Sequence, residues 1–563
     1  MRNYFDKKKA WNIAKDNKWI IAASVFFIIL KFFLIGTLWE NRLLPPQPDD
    51  AFIYASNIES VRDCPTVLCN DESQYYSLKN YQGFTYLTYR LSGGLIGKIL
   101  HIDSISAFKL LFYAGTVLLL FSLIYLLKSL ESNKNLIAIS IFTLSLFNGM
   151  GYYHGFWWVV PSFFTVVLFF LILGTVFNGD DRHWKTKITI FSALLILTHP
   201  TGIFMNLSVP LLAFFCWFLK VDRKNPIFKK ILFTFICSIL IYSPIAVYLN
   251  NTPLKNPFGP ENMLASYYNT LANKHPATID SQEEDRLSAE HNPPEKTGFE
   301  NSQNTSGNLS DKEIVKNYYF SWIFFPRLYG AIPFILTILI LFYYKKLEVL
   351  SIYFYFITLV VVGALFQNGS RMLILLWPFT YILIGFGAFF AFKLIRDKIG
   401  PGAIKAAAYT MIVSFLLAFT AINISFSYLF NESQNKMFNM DIDKDFVDYI
   451  QSTGYYKDNG KFVFFNSKLS LVFGIYQGIS ISKITADASN AEYFVTTVCP
   501  DTAKETEQTK LFQLYSTLRK YISGFENRTG LDKREARVDC NGNLPSNFIF
   551  DKRFGDILIF KKT

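Results

Sequence analysis

Uninterrupted apolar runs of 15 to 22 residues recur along the chain, with short polar blocks between them. A helix rises about 1.5 Å per residue and the hydrocarbon core of a bilayer is about 30 Å thick, so each long run can cross a membrane. The core of a soluble domain needs no such series. The pattern predicts helices over residues 19–38, 108–127, 136–149, 157–177, 188–198, 203–219, 231–249, 328–344, 349–366, 372–392 and 404–425. That is a mainly α, polytopic fold of about eleven helices. The first run, "WIIAASVFFIILKFFLIGTL", follows the basic "MRNYFDKKKAWNIAKDNK" and carries no small-residue cleavage site, so it reads as a retained helix.

Charge sets the expected orientation. With the N-terminus inside, the inner segments are the N-terminus itself, "KSLESNK", "GDDRHWKTK", "KVDRKNPIFKK", "KKLE" and "KLIRDKIGPGAIK", all basic. On the other face, "NGMGYYHGF" and "THPTG" hold no Lys or Arg and "QNGSR" holds one, the asymmetry expected of inner and outer loops. An odd number of crossings puts the C-terminus outside. Loop 39–107, loop 250–327 and the tail then share the outer face, dividing the chain into a transmembrane domain, 1–425, and an extracytoplasmic α/β domain, 426–563.

Composition agrees, at 51% hydrophobic and 18% aromatic. A net charge of +12 would suggest nucleic acid if it formed a continuous patch. Here the cations lie in blocks between apolar runs, where topology puts them, and no nucleic-acid partner is expected.

Within the tail, "KFVFFNS", "ISISKI", "AEYFVTTVC" and "GDILIFKK" have the β-branched and aromatic content of strands, and "DKDFVDYIQSTG" has the spacing of an amphipathic helix. The tail carries no phosphate-binding glycine loop, zinc spacing or nucleophile elbow. Loop 250–327 contains a long polar stretch between aromatic flanks, the composition of a lid. Cys64 and Cys69 fall in the first outer loop and Cys499 and Cys540 in the tail, which suits two disulfides in an oxidising compartment, while Cys216 and Cys237 lie in helices.

Two features suggest chemistry. Asp49 and Asp50 stand about ten residues beyond the first helix, in "LLPPQPDDAFIYAS", whose three prolines restrict the backbone and would hold a carboxylate in one place. A fixed acid at the membrane boundary suits a base that takes a proton from a hydroxyl, although Pro-Asp-Asp is also ordinary turn chemistry. The second feature is a set of cations and imidazoles on the same face: Arg371 at a helix start, Lys31 inside the first helix, His199 and His154 in short outer connections, and Arg42 and Arg327 beside the large loops. Ionisable groups at membrane depth are costly and mark functional pathways, though Lys31 could also snorkel outward. The helix 188–198 is too short to cross, and "HPTG" after it would leave a hollow below the outer surface.

With "PPQPDDAFIY" after the first helix, "LTHPTGIF" between middle helices and "QNGSRMLILLWPFTYILIG" entering a late one, the chain resembles the GT-C superfamily of polyprenyl-phosphate-sugar-dependent membrane glycosyltransferases. The resemblance covers nearly the whole chain through order and topology more than through letters. It implies transfer of a sugar from a polyprenyl-phosphate donor to a hydroxyl of a glycan, lipid or protein acceptor. Asp49 or Asp50 would be the base, Arg371 would face the lipid phosphate together with Lys31, His199 and Arg42, and His154, Tyr54 and Arg327 would contact donor or acceptor. Members using lipid-pyrophosphate oligosaccharides and a divalent metal carry a second acidic motif, and "NGMGYYHGFWW" has no acid. A monophosphate donor and no cofactor are therefore expected, although Glu40, Glu59 or an acid of loop 250–327 could complete a metal site.

A ligase or polymerase would need a basic outer loop, and loop 250–327 is not rich in Arg. A flippase would show internal repeats, and none is visible. The Phe-, Lys-, Ile- and Asn-rich usage suggests a bacterial cytoplasmic membrane and work on cell-envelope glycans. The sequons "NTS" at 304–306 and "NRT" at 527–529 would be usable if the setting were the endoplasmic reticulum.

Overall fold

The structure, a computed structural model, describes residues 16–39, 54–55, 57–58, 61–62, 86–146, 161–179, 181–221, 226–250, 331–365, 369–437, 449, 462–464, 492–497, 548–554 and 557–563. Among these it is mostly helical. The helices are α1 (Lys18–Trp39), α2 (Leu87–Leu100), α3 (Ser104–Leu130), α4 (Lys134–Ser145), α5 (Pro161–Phe177), α6 (Trp184–Ile196), α7 (Pro200–Leu207), α8 (Val209–Phe218), α9 (Ile227–Asn250), α10 (Ala331–Tyr343), α11 (Leu347–Leu365), α12 (Gly369–Lys398) and α13 (Ala403–Met437). Five spans among the described residues are long and apolar enough to cross a membrane: Lys18–Gly36, Ser104–Leu130, Pro200–Phe218, Ile227–Val247 and Ile374–Lys398.

Local chemistry starts and stops these helices. Asp103 caps α3 by accepting from the Ser106 amide at 2.8 Å, and Asn133 caps α4 by accepting from the Asn135 and Leu136 amides. In α1, the stripe Ile21, Val25, Ile29 and Phe33 is exposed, while Ile20, Ala23, Phe27, Lys31, Leu34 and Ile35 are buried. Spacings of three and four give one face to the bundle and the other to lipid. Helix α12, buried along most of its length, packs against α4, α10 and α11, and α4 sits between α12 and α1. Helix α3 lies along α5, α5 along α6, and α6 along α9.

The expected loop 39–107 is partly built. It contains α2, and helical residues 54–55, 57–58 and 61–62 dock on that helix, with Ala55, Ile58 and Val61 buried. Contact is close because α2 presents glycine there: a Cβ on Gly94 would lie 2.3 Å from Val61 Cγ1. Sequence periodicity missed α2 because "LTYRLSGGLIGKIL" mixes glycine and polar residues with its apolar ones.

At the end of the bundle away from α2, the short polar segments are tied together. Glu131 pairs with Lys346, joining the α3–α4 and α10–α11 connections. Asp181 accepts from Lys187 at 2.7 Å and from the Tyr125 hydroxyl at 3.0 Å. Buried Lys230 of α9 donates to the carbonyls of Thr175, at 3.1 Å, and Asn178, capping the C-terminal end of α5 where cations are favoured. Of the polar blocks between apolar runs, "KSLESNK" and "KKLE" are thus joined by an ion pair, and "KVDRKNPIFKK" reaches the end of α5. Burial acts to raise the Asp181 and Glu131 carboxyls, and their hydrogen bonds outweigh it, leaving both below the ordinary carboxylate range.

The tail holds a four-stranded sheet, β1 (Phe462–Phe464), β2 (Tyr493–Thr497), β3 (Phe548–Phe554) and β4 (Ile557–Lys562), in the order β1-β2-β4-β3. Strands β1 and β2 are parallel; the other pairs are antiparallel, with a bulge between Phe550 and Lys552. Three of the predicted strand segments hold β1, β2 and β4; "ISISKI" and most of "DKDFVDYIQSTG" lie outside the described residues. Helix α13 runs to Met437, beyond the expected boundary at 425. Cys216 and Cys237 are free and buried, so these two helical cysteines do not form a pair, and the other four lie outside the described residues.

Candidate functional site

The break between α6 and α7 follows from "LTHPTG". Pro200 has no N–H and a fixed φ, so it can open α7 but cannot continue α6. His199, the residue before it, is forced to an extended backbone (φ −164°, ψ 148°). Its imidazole then folds back as the helix cap, with Nδ1 2.8 Å from the Thr201 hydroxyl and accepting from the Thr201 amide at 3.2 Å. Three residues on, Gly202 lets α7 press against the end of α6: a Cβ there would lie 2.3 Å from the Leu195 carbonyl oxygen.

The carbonyls left over at the end of α6 are met from the start of α2. The Thr88 amide donates to Leu197 O at 3.0 Å and the Thr88 hydroxyl to Leu194 O at 3.2 Å. At its other end, α7 is held by Tyr355 of α11, whose hydroxyl donates to Met205 O at 3.1 Å. A helix of eight residues is thereby fixed at both ends.

Three aromatic rings run from the break to the acidic loop. Tyr86, at the start of α2, has its ring centroid 5.5 Å from that of His199, and Tyr54 lies 6.1 Å from Tyr86 on the other side. Tyr54 also meets Tyr89 at 5.7 Å and Phe108 at 6.5 Å. Helix α3 connects this group to α1, since Phe32 packs edge-on against Tyr113 at 4.8 Å, about 7.5 Å of helix rise from Phe108.

Next to Phe32 is Lys31, fully buried while Ile29 and Phe33 on the opposite stripe are 63% and 58% exposed. Snorkelling toward lipid is therefore not its conformation. Its ammonium lies 5.9 Å from the Phe27 ring centroid, within cation–π range. A lysine taken wholly out of water is costly, and such groups are kept for partners or function.

Of the residues expected at the site, the structure links Tyr54 with His199 through Tyr86 and turns Lys31 inward. Asp49, Asp50, Arg42, His154 and Arg327 lie outside the described residues, and for Arg371 only the backbone, in the first turn of α12, is described. Sequence reasoning missed Tyr86, Thr88, Thr201 and the buried Arg90 of α2. Only "HPTG" gave a signal for any of them, because the residue after His-Pro carries an amide that the helix cap can accept from.

Among the described residues, no three His, Cys, Asp or Glu side chains come together as a donor set for a metal. Glu40, Glu59 and the acids of loop 250–327 are outside them.

No protein-family model matches the chain, and no curated protein does. Among solved structures, the Archaeoglobus fulgidus oligosaccharyltransferase tethered to an acceptor peptide with the NVT sequon is 12% identical, with a TM-score of 0.47 over 88% of this chain and 72% of that one. The archaeal oligosaccharyltransferase AglB from the same organism, in complex with an inhibitory peptide and a dolichol-phosphate, is 13% identical, with a TM-score of 0.45 over 88% and 72%. The apo form of the A. fulgidus oligosaccharyltransferase is 14% identical, with a TM-score of 0.45 over 89% and 71%. At this level of similarity the chemistry has to be argued from the residues themselves.

Proposed function

We propose that the chain is a membrane-embedded glycosyltransferase that moves a sugar from a polyprenyl-phosphate donor to a hydroxyl acceptor at the outer face of a bacterial cytoplasmic membrane. Asp49 or Asp50 is the general base. The acceptor oxygen attacks the anomeric carbon while the carboxylate takes its proton. The bond from that carbon to the phosphate oxygen breaks, and the phosphate leaves on its lipid with the electron pair. Lys31, Arg371, His199 and Arg42 stabilise the growing negative charge, and His154, Tyr54 and Arg327 contact the sugar or the acceptor. The donor is a monophosphate and the reaction uses no metal.

The observation that carries this reading is the ring chain from Tyr54 through Tyr86 to His199. It brings the segment after the acidic pair to a helix break that offers an imidazole. Asp50 is four residues from Tyr54, at most about 14 Å of fully extended chain. Buried Lys31, on the inward stripe of the helix that precedes the acidic loop, places an amine in a low-dielectric setting, where each contact to developing charge is worth more than in water.

The test is transfer from a radiolabelled polyprenyl-phosphate sugar by the full chain in nanodiscs. A general base contributes about 10²- to 10⁴-fold. Asp49→Asn or Asp50→Asn should lose at least about 100-fold in turnover and still bind the donor. If both variants keep full turnover, a carboxylate base at this position is excluded. Activity that vanishes in EDTA and returns with manganese or magnesium would overturn the metal-free step.

A further inference from the structure

The amino-acid sequence does not say which nitrogen of His199 carries its proton, yet the two choices do opposite chemistry. A neutral ring protonated on Nε2 donates to a phosphate oxygen from that atom; one protonated on Nδ1 offers it only a lone pair. The Thr201 backbone amide decides between them. An amide N–H can only donate, and it reaches Nδ1 at 3.2 Å, so Nδ1 must be the acceptor. The Thr201 hydroxyl at 2.8 Å is free to rotate and donate to the same lone pair. The ring's tilt is set separately, by Tyr86 at 5.5 Å with the two planes 55° apart. Tyr86 is in turn braced by Tyr54 and by the α2 turn in which the Arg90 amide donates to its carbonyl at 3.0 Å.

We propose that Thr201 and Tyr86 are positioning residues for His199, the first fixing the Nε2–H tautomer and the second the ring plane, so that His199 acts toward the donor's phosphate as a hydrogen-bond donor. The phosphate contact rests on the glycosyltransferase reading; the tautomer does not. Thr88, which clamps α2 to the end of α6, keeps Tyr86 and His199 in register.

The experiment is ¹⁵N NMR of histidine-labelled full chain in nanodiscs at about pH 8, above the ordinary histidine range. His199 is assigned among the six histidines by its loss in His199→Asn, which keeps an acceptor for the Thr201 amide. Should that variant fail to fold, the selective shift of one ring in Thr201→Ser makes the assignment. The expected result is an unprotonated Nδ1 and a protonated Nε2; a proton on Nδ1 overturns the proposal. Polyprenyl monophosphate should shift the Nε2–H signal, whereas polyprenol should not. An equal response to both, or to neither, removes the phosphate contact.

Tyr86→Phe should keep the response, and Tyr86→Leu should lose it and raise the donor KM about tenfold, the worth of a hydrogen bond to a charged group. A Tyr86→Leu protein that responds like the parent takes Tyr86 out of the proposal. Absence of sugar transfer with the tautomer and phosphate response intact would count against the glycosyltransferase reading alone.

Discussion

Adding one methyl group to Gly202 tests whether the α6–α7 break is a fitted joint or a slack connection. The new Cβ would lie 2.3 Å from the Leu195 carbonyl oxygen and 3.0 Å from both Leu195 C and Cγ. Ordinary contact starts near 3.4 Å, so α7 must move by about 1 Å, because the obstacle is backbone and cannot rotate away. Overpacking of this kind costs about 1–3 kcal/mol, from which up to about 1 kcal/mol of helix propensity is recovered. The Gly202 amide closes the first turn on His199 O at 2.8 Å, so the shift also moves the imidazole. A displacement of about 1 Å at a reacting centre can cost about 100-fold in rate.

Gly36 of α1 is the control, because a Cβ there meets nothing within 4 Å. Gly36→Ala should be neutral or slightly stabilising, and Gly202→Ala should lower the thermal midpoint by a few degrees, read by tryptophan fluorescence on purified protein. Donor turnover should fall in Gly202→Ala and not in Gly36→Ala. If the two variants unfold at the same temperature and turn over equally, the close approach of α7 to α6 has no functional weight and the joint is slack.

Lys31→Met removes the charge while keeping the length, and kcat/KM should fall by a factor that corresponds to about 2–4 kcal/mol of lost transition-state stabilisation, with Lys31→Arg intermediate; unchanged kinetics would make Lys31 a packing residue. Asp181 and Glu131 have depressed folded-state carboxyls, so their contribution to stability is complete above about pH 4.5 and is lost as pH falls through the lower folded-state values. Asp181→Asn should therefore flatten the acid limb of a stability–pH profile and cost about 1–2 kcal/mol at neutral pH, which denaturation at pH 3 and pH 7 can compare. An acid limb as steep in the variant as in the parent would mean that the Tyr125–Asp181–Lys187 cluster does not hold that end of the bundle.

How much of the site could be read in advance depended on the range of the interaction. His199 was legible because His-Pro-Thr-Gly is a local instruction: a proline that stops one helix and opens the next, and before it an extended residue whose side chain caps the new helix. Lys31 was visible as a charge in an apolar run, but its direction was not, since one lysine can face lipid or the interior with equal local geometry. Tyr86 and Thr88 gave no signal. Their roles come from contacts about 110 residues away along the chain, with His199, Leu194 and Leu197.

By itself the amino-acid order determined the mainly helical class of fold and the position of most of its long apolar helices, though not α2. Runs of apolar side chains have one low-energy option in a bilayer, a helix that satisfies its own backbone, and charge blocks between them set which ends lie together. Strand content in the tail was equally local, a matter of β-branched and aromatic residues. Tertiary structure alone decided that Lys31 faces inward, that part of the first loop folds as α2 and docks on the α6–α7 break, and that Thr201 fixes the proton on His199. Those outcomes depend on which surfaces meet, and surfaces that meet across a hundred residues leave no periodic trace in either partner.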